Sequence, residues 1–225
     1  MDSSARVTCV SVESFRTFIA IELPADVRAR VAQHIACLRH ELPDVRASWS
    51  RDDNLHLTLK FLGNVPVADI PRVSEAVASA TKSVSSFELT FSNCGTFPPH
   101  GRPSVLWIGA GSAGKRGPQP GSPAGVLVLP ASSAQLPSPS ELARLYNSIE
   151  NELDAAGFPR ERRPFRPHLT IARLRRSQGA RQLAELHKSL GFPPIAFEVS
   201  EVVVFKSELL KEGSKHTAIS RHKLV

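Results

Sequence analysis

The chain is poor in the residues that build stapled or membrane-bound proteins. Its three cysteines, Cys9, Cys37 and Cys94, form no C-x-x-C pair, and an odd number cannot all pair internally. That spacing argues against a disulfide framework or a zinc knuckle and suits a reducing cytoplasm. No apolar run reaches the roughly 20 residues that span a bilayer. The start MDSSARVTCV puts an acidic residue second and has no basic residue followed by an apolar stretch, unlike a secretory signal. The 41% hydrophobic and 6% aromatic content describes an ordinary globular chain with some flexible material. Its 225 residues suffice to bury a sizeable core.

Acidic charge is also scarce where basic charge is dense. The net charge is +7, and residues 160–176 carry seven arginines against one acid, Glu161. Nearly the whole imbalance therefore lies in one interval. Guanidinium groups bind phosphate oxygens bidentately and focus a positive field, so a phosphate-rich partner is indicated. A solvated basic surface is the plainer alternative.

Periodicity gives the frame. FRTFIAIEL reads as a buried strand, and PADVRARVAQHIACLRHEL as a helix with Val27, Val31, Ile35, Leu38 and Leu42 on one stripe. LHLTLKFL follows as a strand, VADIPRVSEAVASATKS as a helix, and FELTFSNCGTF and PSVLWIGAG as strands. The second half repeats this order. A helix over SPSELARLYNSIENELDAAGF stops at Gly157, then come RPHLTIAR, a helix over GARQLAELHKSLGF, and the strands PIAFEVSEVVVFKSEL and HTAISRHKLV. An α+β fold with internal pseudo-duplication is expected. The expected organisation is a flexible tail over residues 1–14 and a single bilobal domain over 15–225. A Gly/Pro/Ser-rich loop is inserted at about 111–139.

Two strands share the pattern His-Leu-Thr-apolar. Alternation puts His56, Thr58 and Lys60 on one face, with Leu57, Leu59 and Phe61 toward the core; Arg166, His168 and Thr170 likewise oppose Leu169 and Ile171. Strict alternation aims Arg173 away from that face. Each strand thus offers an imidazole and a hydroxyl roughly 6–7 Å apart. Two imidazoles, with ordinary pKa values of about 6.5, can serve as base and acid in an in-line displacement at phosphorus. Threonine hydroxyls can stabilise the non-bridging oxygens, and no metal is needed. A lone H-x-T is a weak signal, but the matched pair with matched flanking elements is a strong one. Trp49, Phe97 and Trp107 are either base-stacking or core residues. His34, Cys37 and His40 sit on the first helix with no second cluster of ligand-type residues. His100, His187, His216 and His222 are expected at the surface.

These segments are similar to a known family. From about Phe15 to Leu224, FIAIELP, HLTLKFLGNV, GTFPPHGRPSVLWIG, RPFRPHLTIAR and VVVFKSEL resemble the two-histidine (2H) phosphoesterases, specifically the RNA 2',3'-cyclic phosphodiesterases also called 2'-5' RNA ligases. The resemblance implies a bilobal, pseudo-twofold fold with antiparallel sheets lining a central groove and helices outside. It implies His56 and His168 as the catalytic pair, with His56 donating and His168 accepting a proton. Thr58 and Thr170 would contact the substrate phosphate; Arg166, which shares the parity of His168, is the first candidate for a further phosphate ligand, and Arg173, within the matched HLTIAR motif, the second. The implied reaction opens 2',3'-cyclic phosphate ends to 2'-phosphates, with reversible 2'-5' ligation within reach. The partners are RNA ends or nucleoside 2',3'-cyclic phosphates, with no cofactor, metal or membrane, and a monomeric state. The long insert departs from the family pattern, as does His216, where an aromatic residue is more usual. Two other readings stay open: a non-catalytic basic RNA-binding protein, and a related phosphodiesterase acting on another cyclic phosphate or on 2'-5' oligoadenylate.

Overall fold

Stripes of apolar residues at helical spacing become four helices in the computed structural model, which describes residues 13–111, 140–210 and 213–225. Most of the expected tail, and the expected insert beyond Gly111, lie outside the described residues. Helix α1 (Ala25–Glu41) buries Val27, Val31, Ile35 and Leu38. Helix α2 (Ile70–Thr81) has proline in its first turn and buries Ile70, Val73, Val77 and Ala80. Helix α3 (Glu141–Ala155) is capped by Ser140, whose hydroxyl accepts a hydrogen bond from the Ala143 N–H. Helix α4 (Ala180–Leu190) ends at Gly191, which takes a positive φ of 64°.

Nine strands form among the described residues: β1 (Ser14–Glu22), β2 (Ser48–Trp49), β3 (His56–Pro66), β4 (Phe87–Phe97), β5 (Val105–Gly111), β6 (His168–Arg173), β7 (Ile195–Val199), β8 (Glu201–Leu210) and β9 (Gly213–Lys223). They build two antiparallel sheets, ordered β3-β1-β8-β9 and β2-β6-β5-β4-β7. The α+β, two-lobed architecture is as expected, but the lobes are not the two halves of the sequence. Strands β1 and β3 pair with the C-terminal β8 and β9, while β4 and β5 pair with β6 and β7. Ser200 is the single residue between β7 and β8, so one continuous β-rich run divides between the sheets.

Helices α1 and α4 pack together, with α4 over β4; α2 lies on β8 and β9 and against α3. One core runs beneath both sheets and includes Ile19, Leu57, Leu59, Leu106, Ile108, Leu169 and Ile171. Phe18, Ala20, Val203 and Phe205 form a separate buried cluster on the opposite face of the first sheet. The edge strand β3 and the second sheet's β6 come within 8 Å of each other, Cα to Cα.

Both motif strands carry an irregularity at the same place. Ala20 pairs with Thr58 but Ile19 pairs with Lys60, so Leu59 is an extra residue. Trp107 pairs with Thr170 but Leu106 pairs with Ala172, so Ile171 is its counterpart. A bulge of this kind resets the alternation. Two expectations are corrected as a result. Lys60 leaves the histidine face and is buried, whereas Phe61, expected in the core, is 63% exposed.

Buried Lys60 requires a partner and finds one. Its ammonium donates to Glu150 Oε1 at 2.8 Å and to the Pro159 carbonyl at 2.9 Å, while the Glu161 N–H donates to Glu150 Oε2 at 2.9 Å. The pair joins β3 to α3 and to the segment that leads into β6. Removing one partner strands a buried charge, at a cost of about 3–5 kcal/mol; an apolar replacement of both does not. Chemical denaturation should therefore show Lys60→Met destabilised by that amount, and Lys60→Met/Glu150→Leu closer to the parent.

Candidate active site

On β3, burial of Leu57 and Leu59 in the common core turns His56 and Thr58 to the other face, where both are half-buried. The His56 ring lies 4.8 Å from Phe18 and 5.1 Å from His216, centroid to centroid, the latter edge-on at 73°. Phe18 in turn stacks on Phe205 at 5.1 Å and touches Phe61 at 5.8 Å. An aromatic floor thus carries the imidazole. Burial, with the neighbouring His216 adding to it, pulls the His56 pKa from 6.5 down to about 4, against a smaller opposing hydrogen bond to the Asn54 backbone.

On β6 the same logic applies. Leu169 and Ile171 are buried in the core, and His168 and Thr170 are half-buried on the opposite face. His168 Nδ1 lies 2.6 Å from the Arg166 carbonyl. A carbonyl only accepts, so Nδ1 holds the proton and, in the neutral ring, Nε2 keeps its lone pair. Gly109 pairs with His168, and Phe97 meets the imidazole edge-on at 5.0 Å. A Cβ at Gly95 would lie 2.0 Å from the Trp107 ring, so only glycine lets the indole lie flat there. Phe97 and Trp107 contact each other at 5.4 Å on this face, while half-buried Trp49 packs on the core.

The bulge at Ile171 corrects the expectation for Arg173. Ala172 is buried opposite Leu106, and exposed Arg173 pairs with Val105, on the face that holds Thr170 and Trp107. It is the positional equivalent of Phe61, five residues after the histidine in each motif. Arg166 precedes β6, is exposed, and reaches His168 through its backbone carbonyl. Elsewhere in the basic interval, Arg160 donates to Asn151 at 2.6 Å and Arg163 pairs with Glu161 at 3.3 Å.

Several histidines depart from the surface positions expected of them. His216 is half-buried in the His56 cluster, and His222 is half-buried against Ser74 and Ser220. His187 is fully buried and meets His34, contrary to the expectation that the first helix's histidines stand alone. His100 is exposed. The resemblance singled out position 216, but the contact of His216 with His56 was not readable from sequence, because it depends on β9 pairing with β8, which sets Ser207 opposite it.

Two H-x-T strands from different sheets, adjacent and identically bulged, define a phosphoesterase of the two-histidine class. Residues 21–107 and 135–216 match the family of LigT like phosphoesterases, to which the chain belongs. An RNA 2',3'-cyclic phosphodiesterase of Thermotoga maritima is 28% identical over 198 residues, covering 88% of this chain and 89% of that one. The Escherichia coli protein of that name is 26% identical over 213 residues, covering 93% and 96%. In fold, the chain resembles E. coli LigT in its apo form, with a TM-score of 0.65, 24% identity, and coverage of 95% and 99%.

The depressed pKa yields a direct check. Above about pH 4 His56 is neutral in the free protein, because the folded site disfavours its charged form. Histidine NMR titration should place its midpoint near 4. In His216→Gln the midpoint should rise, since a competing positive charge is gone, yet stay below 6.5 because burial is the larger cause. An unchanged midpoint contradicts the role given to His216.

Proposed function

We propose that the protein is an RNA 2',3'-cyclic phosphodiesterase in which His56 and His168 act as proton donor and acceptor on one phosphorus centre. The observation that carries this reading is the adjacency of β3 and β6, each presenting a histidine and a threonine on the face turned from the core. The relatives that are RNA 2',3'-cyclic phosphodiesterases support the substrate class.

In this scheme His168 Nε2, its lone pair freed because Nδ1–H is held by the Arg166 carbonyl, takes a proton from water. The water oxygen bonds to phosphorus as the bond to the 3' oxygen breaks, and His56 gives its proton to that departing oxygen. A 2'-phosphate remains. The Thr58 and Thr170 hydroxyls donate to the non-bridging oxygens, whose charge peaks in the transition state. Arg173, on the motif face at the far end of β6, balances that charge, and Arg166, two residues before His168, is the second candidate for it. His56 is neutral in the free site, and the negative charge of a bound cyclic phosphate raises its pKa, so proton and substrate favour each other. Replacing water by an RNA 5'-hydroxyl gives a 2'-5' linkage through the same displacement.

The reading extends to a cytoplasmic monomer that works without a metal. Both motifs come from one chain, the acid and base are imidazoles, and Cys37 and Cys94 are free thiols. Among the described residues, no helix is long and apolar enough to cross a membrane.

Incubation with a nucleoside 2',3'-cyclic phosphate and a chelator should yield the 2'-monophosphate. His56→Ala and His168→Ala should each lower kcat by about 10²–10⁴-fold, and Arg173→Ala should raise KM. Absence of product, with salt-dependent RNA binding that survives loss of both histidines, would instead identify a binding protein. His216→Gln tests the assignment of roles. With His56 as donor, its raised pKa should increase kcat/KM at neutral pH; an unchanged or lower value counts against that role.

A further inference from the structure

On the side of the second sheet opposite the histidine motifs, three elements bring together side chains that the reaction does not use. His34 of α1, His187 of α4 and Cys94 of β4 have their Nδ1/Nε2 and Sγ ligand atoms within 4.8 Å of one another. The register of β4 sets this up. Asn93, at a left-handed φ of 63°, is an extra residue between Ser92 and Cys94, and beyond it Cys94 pairs with Ile108, whose side chain is buried in the core. The bulge thus turns the thiol toward the helices and away from the Trp107 face.

The hydrogen bonds already arrange the buried imidazole as a ligand. His187 is fully buried, and its Nε2 lies 3.0 Å from the Trp107 carbonyl. That nitrogen must donate, so Nδ1 presents a lone pair to the cluster. A second ring nitrogen anchored on a backbone carbonyl is the usual outer-shell support of a metal-binding histidine. His34 Nε2, 2.9 Å away, donates to that lone pair. Burial keeps His187 neutral, with a pKa near 4, and keeps Cys94 protonated, with a pKa near 12. The plainer account is a hydrogen-bonded histidine pair beside a core thiol. It explains the two rings, but it leaves unexplained why the extra residue in β4 directs a thiol at them.

We propose that His34, His187 and Cys94 form a zinc site that ties α1 and α4 to β4. Two imidazoles and a thiolate are the donor set zinc favours, with water completing a tetrahedron. His187 binds through Nδ1. His34 shifts its proton to Nδ1 and binds through Nε2, while Cys94 releases its proton to solvent, so one proton leaves per ion bound. Donors around tetrahedral zinc lie roughly 3.3–3.8 Å apart, given metal–ligand bonds of about 2.0–2.3 Å. The two imidazoles therefore separate slightly and the thiol closes in. The ion lies across the sheet from His168 and plays no part in proton transfer there.

The test uses the full-length protein, stripped with chelator and titrated with Co²⁺ as a spectroscopic stand-in and with Zn²⁺ alone. One equivalent of Co²⁺ should produce thiolate-to-cobalt charge transfer and tetrahedral visible bands, and Zn²⁺ should displace it and raise Tm. Cys94→Ser should abolish the charge-transfer band, and His34→Gln, at a half-buried site, should weaken affinity by more than about tenfold. Cys9→Ser/Cys37→Ser should keep the full spectrum. Turnover of the cyclic phosphate should not change with Zn²⁺, so failure here is separable from failure of the catalytic reading. Lack of saturable uptake by the parent protein, or a band that persists in Cys94→Ser, overturns the site.

Discussion

A strand cannot bury two successive side chains on the same side without a bulge, and that constraint decides the chemistry of this molecule. Leu57 and Leu169 are drawn into the core beneath the two sheets, so the histidines and threonines flanking them must face the other way. Hydrophobic burial thus aims the polar groups. Because each sheet contributes one such strand and the two strands run next to each other, the core that stabilises the fold also sets the two motifs together. The bulges after Thr58 and Thr170 then diverge in use. One brings Phe61 to the aromatic floor, and the other brings a guanidinium, Arg173, to the motif face.

The electrostatics follow from that packing. His56 is set among Phe18, Phe205 and His216, which withdraw it from water and keep it neutral when the site is empty. The opposite solution appears behind β3, where the buried Lys60 and Glu150 side chains each meet the other and a backbone group as well. That pair fixes the spacing between the first histidine strand and the segment entering the second. It therefore links stability to the alignment of the motifs, although neither residue reaches their face.

Much of this was legible from the chain. Apolar spacing located the four helices found among the described residues, and the repeated His-x-Thr located both motif strands and the half-buried side chains on them. What escaped was what depends on partners distant in sequence. The exchange of strands between lobes turns on Ser200, which carries no signal within a continuous β-rich run. The bulges shift parity by one residue at Leu59 and Ile171, and nothing in HLTLKF or HLTIAR marks them, so Lys60, Phe61 and Arg173 were all placed on the wrong face. His187 and His216 looked like surface residues because their burial comes from α1, β5, β8 and β9.

The central claim is that two imidazoles address one phosphorus from adjacent strands, and it is tested most directly by a crystal structure of the protein with a nucleoside 2'-monophosphate. The account predicts Nε2 of His56 and of His168 each within hydrogen-bonding distance, about 2.6–3.2 Å, of oxygens on a single phosphate. A phosphate held by one histidine alone, with the other ring turned elsewhere, would contradict it.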